Sequence, residues 1–419
     1  MIRLLDKTKI SLFTFFFVFC FIAIYAGRAT QFAHELGDIR TVGNAFALFL
    51  TLIFVLFKKI QFKKDYFYVV GIFLLYGLTT VAVYGVLSVW WLSVHFFLLT
   101  YAYVISKALG CRLMVTFETI MFYLSLISLL FWLILLISPE LLESIVRTFA
   151  FSKPHSEDGN VLANMIVYTL SNYDYGITEF NISFLLRNPG FAWEPGAFAS
   201  MICLAIFCNI LRTNFKLTNN KALIVFLITL LSTQSTTGLS VFVIIIVVWL
   251  FSSRKFGWAI VMIPLALWLF NLSFFGNKLL SEQSMLQYLD ISNTTGQQGR
   301  FFSLSLDWQE FLRHPLLGLG CNWENTWLAR NGYDISTISG IGDLLATFGG
   351  IVTVLFIWML CKSSSAINRQ YSTRNGIILL FVILGSMVSY SFFSFPIYIA
   401  FWMYGYWGAM QCPASLNVR

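Results

Sequence analysis

The sequence predicts an all-α polytopic membrane protein, and three observations support this fold class. First, 58% of the 419 residues are hydrophobic and only 11% are charged, whereas about a quarter of the residues are charged in soluble domains. Second, apolar runs of roughly 17 to 25 residues, long enough to cross a bilayer, recur along the chain. Third, lysine and arginine are grouped in the short segments between these runs. We therefore expect residues 1–419 to form a single integral membrane domain.

The apolar runs predict about twelve transmembrane helices of this length. They lie at residues 10–27, 43–57, 66–86, 88–106, 114–138, 194–211, 222–236, 238–253, 256–275, 340–361, 375–394 and 395–411. The first run follows a basic start, as the apolar core of a signal peptide does, but no A-x-A-like cleavage site comes after it. We therefore expect it to be an uncleaved first helix.

The grouping of basic residues predicts the orientation of these helices, because short loops rich in lysine and arginine stay in the cytoplasm. With both termini in the cytoplasm, 18 of the 27 basic residues lie inside and all but three of the 19 acidic residues lie outside. The opposite orientation would place nearly every basic group outside. We therefore expect a multi-pass protein whose two termini are both cytoplasmic.

The net charge of +8 does not indicate a nucleic-acid partner, because the basic residues are scattered and form no cluster on one exposed face. The sequence also has no CxxC pair and no cluster of cysteine and histidine with the spacing of a metal site. We expect neither a metal nor a cofactor.

Two external segments are long enough to have structure of their own, at about 139–193 and about 276–339. Loops of this length within a compact domain are usually functional or disordered. Both segments interleave aromatic with charged residues, which disfavours disorder. We expect the active site to lie between these two large loops, which would carry short helices.

The stretch FLLRNPGFAWEPGAFASM, residues 184–201, places charges where an apolar helix begins. Pro195 suits the first turn of that helix, where its missing N–H costs nothing, and Glu194 would lie against the positive end of the helix dipole. Charges in or beside membrane spans are expensive and mark function, so Arg187 and Glu194 are candidate site residues. The alternative is a well-capped helix start with an arginine that reaches toward the interface.

The stretch GRFFSLSLDWQEFLRHPLLGLG, residues 299–320, predicts an amphipathic helix over 300–314. At about 100° per residue, one arc of this helix carries Arg300, Ser303, Asp307, Glu310 and His314. The other side is apolar, which suits a helix that lies on the membrane surface. The alternative is a solvated polar face on a helix that packs across the mouth of the bundle.

A third polar stretch, STQSTTG at residues 232–238, joins two predicted spans on the external side. Its hydroxyls and glycine could let backbone N–H groups face an anion, as nests do. The alternative is a tight turn between antiparallel helices, which is the more common use of such a stretch.

In their order along the chain, these motifs resemble the O-antigen polymerase and ligase superfamily. They are an arginine ahead of G-F-x-x-E-P-G, a Ser/Thr-Gly turn between two spans, G-R before an aromatic-rich helix ending in H-P-L-x-G-x-G, and L-x-x-x-G-G at a span start. The motifs cover residues 184–361, and the remainder is similar in topology only. The resemblance implies a GT-C type glycosyltransferase in the bacterial inner membrane, with its active site on the external, periplasmic side.

The resemblance also implies a substrate, sugar chains carried on undecaprenyl pyrophosphate. A Wzy-type polymerase transfers the growing chain to a new lipid-linked repeat unit, and a ligase transfers it to lipid A core. Both use external-loop arginines, which implies roles for Arg187 and Arg300. The ligases also have a His-Asn pair before the span that starts here near residue 340, where this sequence has STISGIGDLLATFGG. That departure favours the polymerase, whose further partners would be membrane lipids and a chain-length regulator.

The chemistry of this substrate suits the candidate residues. A guanidinium binds phosphate oxygens bidentately and stays charged at any working pH, so the two arginines could bind the leaving pyrophosphate. A carboxylate or imidazole could take the proton of the acceptor hydroxyl. The candidates for this catalytic role are, in order of preference, Glu194, Asp307, His314 and Asp343.

Two alternatives to the polymerase stay open. One is the ligase, and the other is a transporter or flippase for the same lipid-linked oligosaccharides. A transporter predicts internal repeats and polar groups at the bilayer midplane, whereas the charges here concentrate in the two external segments.

Overall fold

The computed structural model describes residues 11–26, 39–150, 161–171, 186–216, 218–254, 257, 264, 296–297, 300–322, 324, 326–333, 335–392 and 395–408. Within these ranges the chain is an all-α membrane protein with two small pieces of sheet. Nearly all of the predicted span at 256–275 and of the external stretch at 276–299 lies outside the described residues.

The described amino-terminal part is helical. Its helices are α1 (Leu12–Ala26), α2 (Ile39–Lys58), α3 (Lys64–Tyr84), α4 (Val89–Leu109) and α5 (Leu113–Ile137), and the 3-10 turn Gly110–Arg112 joins α4 to α5. The Ser88 side chain caps α4 by accepting a hydrogen bond from Trp91 N at 3.2 Å. These helices are apolar on nearly every side, as expected of helices that meet lipid on one face and protein on the other.

The first external segment contains a short helix and a hairpin. These elements are α6 (Pro139–Thr148), β1 (Val161–Asn164) and β2 (Thr169–Ser171). The two strands pair antiparallel, and the Asn164 side chain accepts a hydrogen bond from Ile166 N at 2.7 Å, which shapes the turn between them. The segment thus carries a short helix, as predicted, and a hairpin that the sequence did not predict.

The remaining elements follow in the carboxyl-terminal part. They are α7 (Pro195–Thr213), α8 (Lys221–Thr233), α9 (Thr236–Ser252), β3 (Gly296–Gln297), α10 (Arg300–Arg313), α11 (Trp327–Arg330), β4 (Ile335–Ser336), α12 (Gly340–Tyr371), the 3-10 turn Asn375–Ile377, α13 (Ile378–Met387), α14 (Pro396–Trp402) and the π-helical turn Tyr404–Gly408. Strands β3 and β4 pair in parallel. This pairing connects the residues just before α10 to the residues just before α12.

Several described helices match membrane spans in length and composition. Among the described residues, four helical stretches are long and apolar enough to cross a membrane: Lys64–Tyr84, Val89–Ile137, Pro195–Thr213 and Gly340–Tyr371. Shorter apolar helices lie at Leu12–Tyr25, Ala45–Lys58, Lys221–Thr233, Thr236–Ser252 and Asn375–Met387. The predicted class of membrane protein is confirmed, while the number of spans and their orientation stay predictions.

Helix α7 is the centre of the described core. Every residue from Pro195 to Leu211 is buried, and α7 packs against α5, α8, α9 and α13. A helix that is hydrophobic all round is covered by protein or by lipid, and here protein covers it on every side. The surrounding bundle therefore fixes the first residue of α7, and this end of the helix is a rigid support for the side chains near it.

A buried ion pair ties α5 to the far end of α7. Arg212 Nη2 lies 2.6 Å from Glu118 Oε1, and Asn209 Nδ2 donates to the same oxygen at 2.7 Å. A buried carboxylate is tolerated when its charge is paired and its oxygens are hydrogen-bonded. In the predicted orientation this pair lies near the cytoplasmic side, so it supports the bundle away from the external segments.

Helix α10 confirms the helix predicted at 300–314. The helix packs along α12, and Ser303, Asp307 and Glu310 are buried, whereas Trp308 is 47% and Leu312 60% exposed. The polar arc therefore faces the protein, and the apolar side faces outward. The alternative of a solvated polar face is wrong, because the side of α10 that packs on the bundle is the side that carries the carboxyl groups.

The segment after α10 crosses α12 with direct backbone contact. Gly350 N donates to the carbonyl of Pro315 at 2.8 Å. Gly349 and Gly318 have φ of +70° and +63°, a region that glycine adopts without strain. A Cβ on Gly318 would overlap the carbonyl of Thr347. The glycines of the two motifs allow this close approach, which fixes the end of α10 against α12.

Candidate active site

Glu194 immediately precedes α7 but does not cap that helix. Its backbone is extended, with φ −153° and ψ 156°, and its carboxylate makes no capping hydrogen bond. Instead Glu194 Oε1 lies 3.4 Å from Nη2 of Arg300, which belongs to the second external segment. The alternative in which the Glu194 side chain caps α7 is therefore wrong, because the carboxylate is directed at a cation.

Arg300 makes several contacts from the first position of α10. Its Nη2 donates to the Tyr390 hydroxyl at 2.8 Å, and its Nη1 donates to Thr237 Oγ1 at 3.1 Å. The guanidinium carbon also lies 4.9 Å from the centroid of the Tyr390 ring, within the range of a cation–π contact. A cation at a helix N-terminus is disfavoured by the helix dipole, and the carboxylate of Glu194 offsets that cost.

Arg187 reaches the same place from the first external segment. Its Nε donates to the carbonyl of Thr233 at 3.2 Å, and Thr233 is the last residue of α8, where the helix dipole favours a cation. Arg300 donates to Thr237 Oγ1 at 3.1 Å, so both arginines hydrogen-bond to the turn between α8 and α9. The structure therefore brings together three predicted site residues, and we call Arg187, Glu194, Arg300 and Tyr390 the arginine cluster.

Asn188 holds the backbone next to Arg187 and was missed by the sequence analysis. It is fully buried, its N donates to the carbonyl of Ser232 at 3.0 Å, and its Nδ2 donates to Ser232 Oγ at 2.9 Å. Its Oδ1 accepts a hydrogen bond from Gly190 N at 3.0 Å. This bond to the amide two residues on is the usual role of asparagine in turns, so the Asn-Pro-Gly sequence was the signal that could have found it.

The polar stretch 232–238 is a tight turn between α8 and α9, as the turn alternative predicts. Gln234 is left-handed with φ 49°, and the Ser235 side chain caps α9 by accepting a hydrogen bond from Gly238 N at 3.1 Å. The turn also presents the Thr237 hydroxyl to the arginine cluster. The turn therefore contributes to the arginine cluster through the side chain of Thr237.

Tyr390 is the member of the arginine cluster that the sequence analysis missed. It lies between α13 and α14, inside the apolar run predicted as the span 375–394. Gly196, from the E-P-G motif, lies against the Tyr390 hydroxyl, and a Cβ on this glycine would overlap it. No sequence signal marks Tyr390, because a tyrosine in an apolar run usually packs in the core or at the membrane interface.

A pair of carboxyl groups, Asp307 and Asp343, lies beside the arginine cluster. Asp343 Oδ2 accepts a hydrogen bond from Ser391 Oγ at 2.8 Å. Because Ser391 directly follows Tyr390 in the chain, one short segment contacts both groups of side chains. In the described part of the chain, no group of three or more His, Cys, Asp or Glu side chains is arranged to hold a metal ion.

Burial, together with the negative charges of Asp343 and Glu310, raises the pKa of the Asp307 carboxyl to about 8. A hydrogen bond from Thr337 opposes the rise. Among the described residues, none hydrogen-bonds to Asp307 Oδ2, which lies against Gly342. At neutral pH this carboxyl is therefore mostly protonated, so it is suited to donate a hydrogen bond and is a poor acceptor of a proton.

A cavity of about 350 Å³ opens beside Asp307, between α10 and the segment that contains α11. Its charged and aromatic lining residues are Asp307, Glu310, Arg313, Trp327, Tyr333 and Asp343. This volume is at the lower end of the range of about 300 to 1,000 Å³ that small-molecule sites occupy. The sequence analysis named both aspartates but not the aromatic residues, because their loop shows no periodic pattern.

His314 belongs to neither group. It follows the last residue of α10, with its Nδ1 3.3 Å from the Tyr84 hydroxyl and its Nε2 3.7 Å from Glu310 Oε1. Arg300 lies at the other end of α10, about 20 Å away at roughly 1.5 Å per residue. The structure therefore separates this candidate base from the arginine cluster.

Comparison with known proteins gives no family assignment. No protein-family model matches this chain, and no curated protein matches it. The resemblance of its motifs to the O-antigen polymerase and ligase superfamily stays a prediction, and the function has to be argued from the contacts of its own residues.

Proposed function

We propose that this protein is a glycosyltransferase that polymerises glycan repeat units carried on undecaprenyl pyrophosphate. One observation carries the proposal: Arg187 and Arg300 come from separate external segments and hydrogen-bond to the same turn, at Thr233 and Thr237, and Arg300 also contacts the carboxylate of Glu194. Cations stabilise an anionic leaving group. A carboxylate beside them can take the proton that a hydroxyl nucleophile must lose.

The arginine cluster is suited to pyrophosphate because its cations are individually placed. In the predicted orientation the external segments carry more acidic than basic residues, so no general positive field attracts an anion. The Arg300 side chain is only 22% exposed, and charge interactions are stronger in such a partly desolvated place than in water. As the leaving oxygen gains negative charge, the arginines stabilise the transition state more than the ground state.

Glu194 is the preferred general base in this proposal. The acceptor hydroxyl oxygen forms a bond to the anomeric carbon, the bond from that carbon to the pyrophosphate breaks, and its electron pair leaves with the pyrophosphate. The hydroxyl proton passes to Glu194, which lies next to Arg300. Asp307 is less suited to this role because its pKa of about 8 keeps it mostly protonated at neutral pH.

The membrane context supports a lipid-linked substrate. The chain has helical stretches that are long and apolar enough to cross a membrane, and α10 turns the exposed side chains of Trp308 and Leu312 outward beside the site. We place the site on the external, periplasmic face of the bacterial inner membrane, in a GT-C type arrangement of about twelve spans with cytoplasmic termini. A pyrophosphate in the headgroup layer would then reach the arginines without leaving the bilayer.

The two alternative functions fit the same residues less well. A ligase of the resembling type has a histidine near residue 340, and STISGIGDLLATFGG contains none. A transporter needs polar groups at the bilayer midplane, whereas the arginine cluster is formed by residues before α7 and at the start of α10.

A gel of surface polysaccharide from a strain that lacks this gene tests the proposal. We expect a single repeat unit on lipid A core in the deletion strain, long chains with the wild-type gene, and a single repeat with Arg300→Ala. Arg330→Ala is the matched control, because Arg330 is an exposed arginine of the same external segment, and it should restore long chains.

Full-length chains left on the lipid carrier would indicate a ligase, and a loss of all external sugar would indicate a transporter. Either result contradicts the proposal, provided that blots show equal amounts of protein.

A further inference from the structure

The cavity beside Asp307 has two kinds of wall. One wall is aromatic, formed by the rings of Trp327 and Tyr333, whose centroids lie 5.5 Å apart with 40° between the ring planes. The other wall is polar and contains Asp307, Glu310 and Asp343. A sugar ring has the same two kinds of surface, because its C–H groups form apolar faces and its hydroxyls form a polar rim. Aromatic rings cover such faces, and carboxyl oxygens accept hydrogen bonds from such hydroxyls.

The aromatic wall is held to α10. Trp327 N donates to Glu310 Oε2 at 2.8 Å. The guanidinium carbon of Arg313 lies 5.4 Å from the centroid of the Trp327 ring, and Arg313 Nη1 lies 3.5 Å from Glu310 Oε2. The position of the ring is therefore set before any ligand enters, which lowers the entropy lost on binding. In these contacts the positive charge of Arg313 faces the Trp327 ring and the Glu310 carboxylate.

The charges around the cavity restrict what it can hold. Three carboxyl groups line it, those of Asp307, Glu310 and Asp343, together with Arg313. Arg313 is the one cation among the described lining residues, and it already faces Glu310. A ligand carboxylate or phosphate would therefore find its counter-charge already paired and would meet the like charge of Glu310 at close range. The cavity therefore excludes an acidic sugar more strongly than a neutral one.

We infer that this cavity is the acceptor subsite and that it takes an uncharged pyranose, a sugar ring without a carboxylate or phosphate. The term acceptor rests on the proposed function. Asp307 lies two helical turns from Arg300, about 10 Å along the axis of α10, so a sugar in the cavity would adjoin a lipid pyrophosphate bound at the arginine cluster. The volume of about 350 Å³ admits a short saccharide and no folded partner.

Saturation-transfer NMR on the purified full-length protein tests this inference. The probes are methyl glucoside, N-acetylglucosamine and glucuronic acid at neutral pH. We expect at least one neutral sugar to bind and glucuronic acid to give no signal. Trp327→Ala should weaken binding of the neutral sugar about five- to tenfold, and Tyr333→Ala should act in the same direction. Trp308→Ala is the matched control, because Trp308 lies on the outward side of the same helix and is 47% exposed.

Three results would overturn the inference: no sugar binds, glucuronic acid binds as well as the neutral sugars, or Trp327→Ala leaves binding unchanged. Trp327→Tyr covers the case in which the alanine variant does not fold, because it keeps an aromatic ring and should keep most of the binding. Arg300→Ala separates this inference from the proposed function. If that variant blocks polymerisation and no sugar binds to the wild type, only the cavity inference fails. If it makes long chains and the sugar still binds, the transferase proposal fails and the cavity remains a sugar site.

Discussion

Arg300 Nη2 lies 3.4 Å from Glu194 Oε1, although 106 positions separate the two residues in the chain. Their side chains are only 22% and 17% exposed. Each charge offsets the cost of burying the other, so removal of either leaves an unpaired charge in a partly desolvated place. The pair also joins the two external segments, which makes it the first target for mutation.

Replacing Glu194 with glutamine should slow glycan transfer by about a hundredfold or more, since positioned general bases contribute about 10² to 10⁴ in rate. The amide keeps the shape of the side chain but accepts no proton. The measurement is the rate of chain growth on synthetic lipid-linked repeat units with purified protein. Glu140→Gln, an exposed acidic residue of the first external segment, is the control and should keep the wild-type rate. Transfer at the wild-type rate in Glu194→Gln would remove Glu194 from the role of base.

Replacing Tyr390 with phenylalanine should lower the transfer rate about tenfold. The ring and its contact with the Arg300 guanidinium remain, but the hydroxyl that accepts a hydrogen bond from Nη2 at 2.8 Å is lost. Hydrogen bonds to charged groups contribute about 1.5 to 3 kcal/mol, which corresponds to tenfold or more. The same transfer assay measures the effect. Tyr123→Phe, at a tyrosine that is 54% exposed, should have no effect, and equal loss in both variants would count against a specific role for Tyr390.

The raised pKa of Asp307 predicts a pH-dependent contribution to stability. The ordinary pKa of this carboxyl is 3.8 and the folded value is about 8, so between these values the folded protein holds a proton that the unfolded chain releases. The stabilisation is complete below about pH 4 and is lost as the pH rises through about 8. Asp307→Asn removes this titration. We therefore expect the variant to gain thermal stability relative to wild type between about pH 5 and pH 8.

Thermal unfolding of both proteins in one detergent, at a series of pH values, measures this difference. The gap in Tm should widen in favour of Asp307→Asn up to about pH 8 and stay constant above it. A gap that does not change with pH would mean that Asp307 titrates in the fold as it does in the unfolded chain.

Replacing Gly342 with alanine should abolish or strongly reduce glycan transfer. A Cβ at this position would lie 2.7 Å from Asp307 Cβ and 2.9 Å from its Cγ, so the Asp307 side chain or α10 must move. The control is Gly71→Ala in α3, where nothing lies within 4 Å of the added methyl group. That change should leave transfer intact and slightly favour the helix. Wild-type transfer by Gly342→Ala would show that the position of Asp307 does not matter to the reaction.

Part of this site could be predicted from the sequence because local rules are strong there. Proline and glycine limit where α7 begins, and the apolar periodicity over 299–320 marks α10. Charges beside apolar runs identified Arg187, Glu194 and Arg300, and the structure pairs Arg300 with Glu194 and joins both arginines to one turn. These signals extend over only a few residues of sequence. They therefore identify which residues belong to a site but not how those residues are arranged in space.

The rest of the site depends on contacts between distant segments. Periodicity shows that α10 has two faces but not which one packs on the protein, because an apolar face is stable at a membrane surface as well as in a core. Tyr390 lies in an apolar run, and Trp327 lies in a loop without a pattern. The packing of α10 along α12 brings the two aspartates together, and the bond from Trp327 N to Glu310 places the aromatic wall at the same cavity.

The outward apolar face of α10 links the chemistry of this protein to the thickness of its surroundings. Trp308 and Leu312 would rest on lipid, while Arg300 and Asp307 on the same rigid helix face the site. A thinner or thicker bilayer would change how deeply this helix is immersed, and a helix that tilts carries both faces with it. Transfer rates measured in different lipids or detergents would then come from sites in which Arg300 and Asp307 are positioned differently. The acyl-chain length should therefore be held constant when variants are compared.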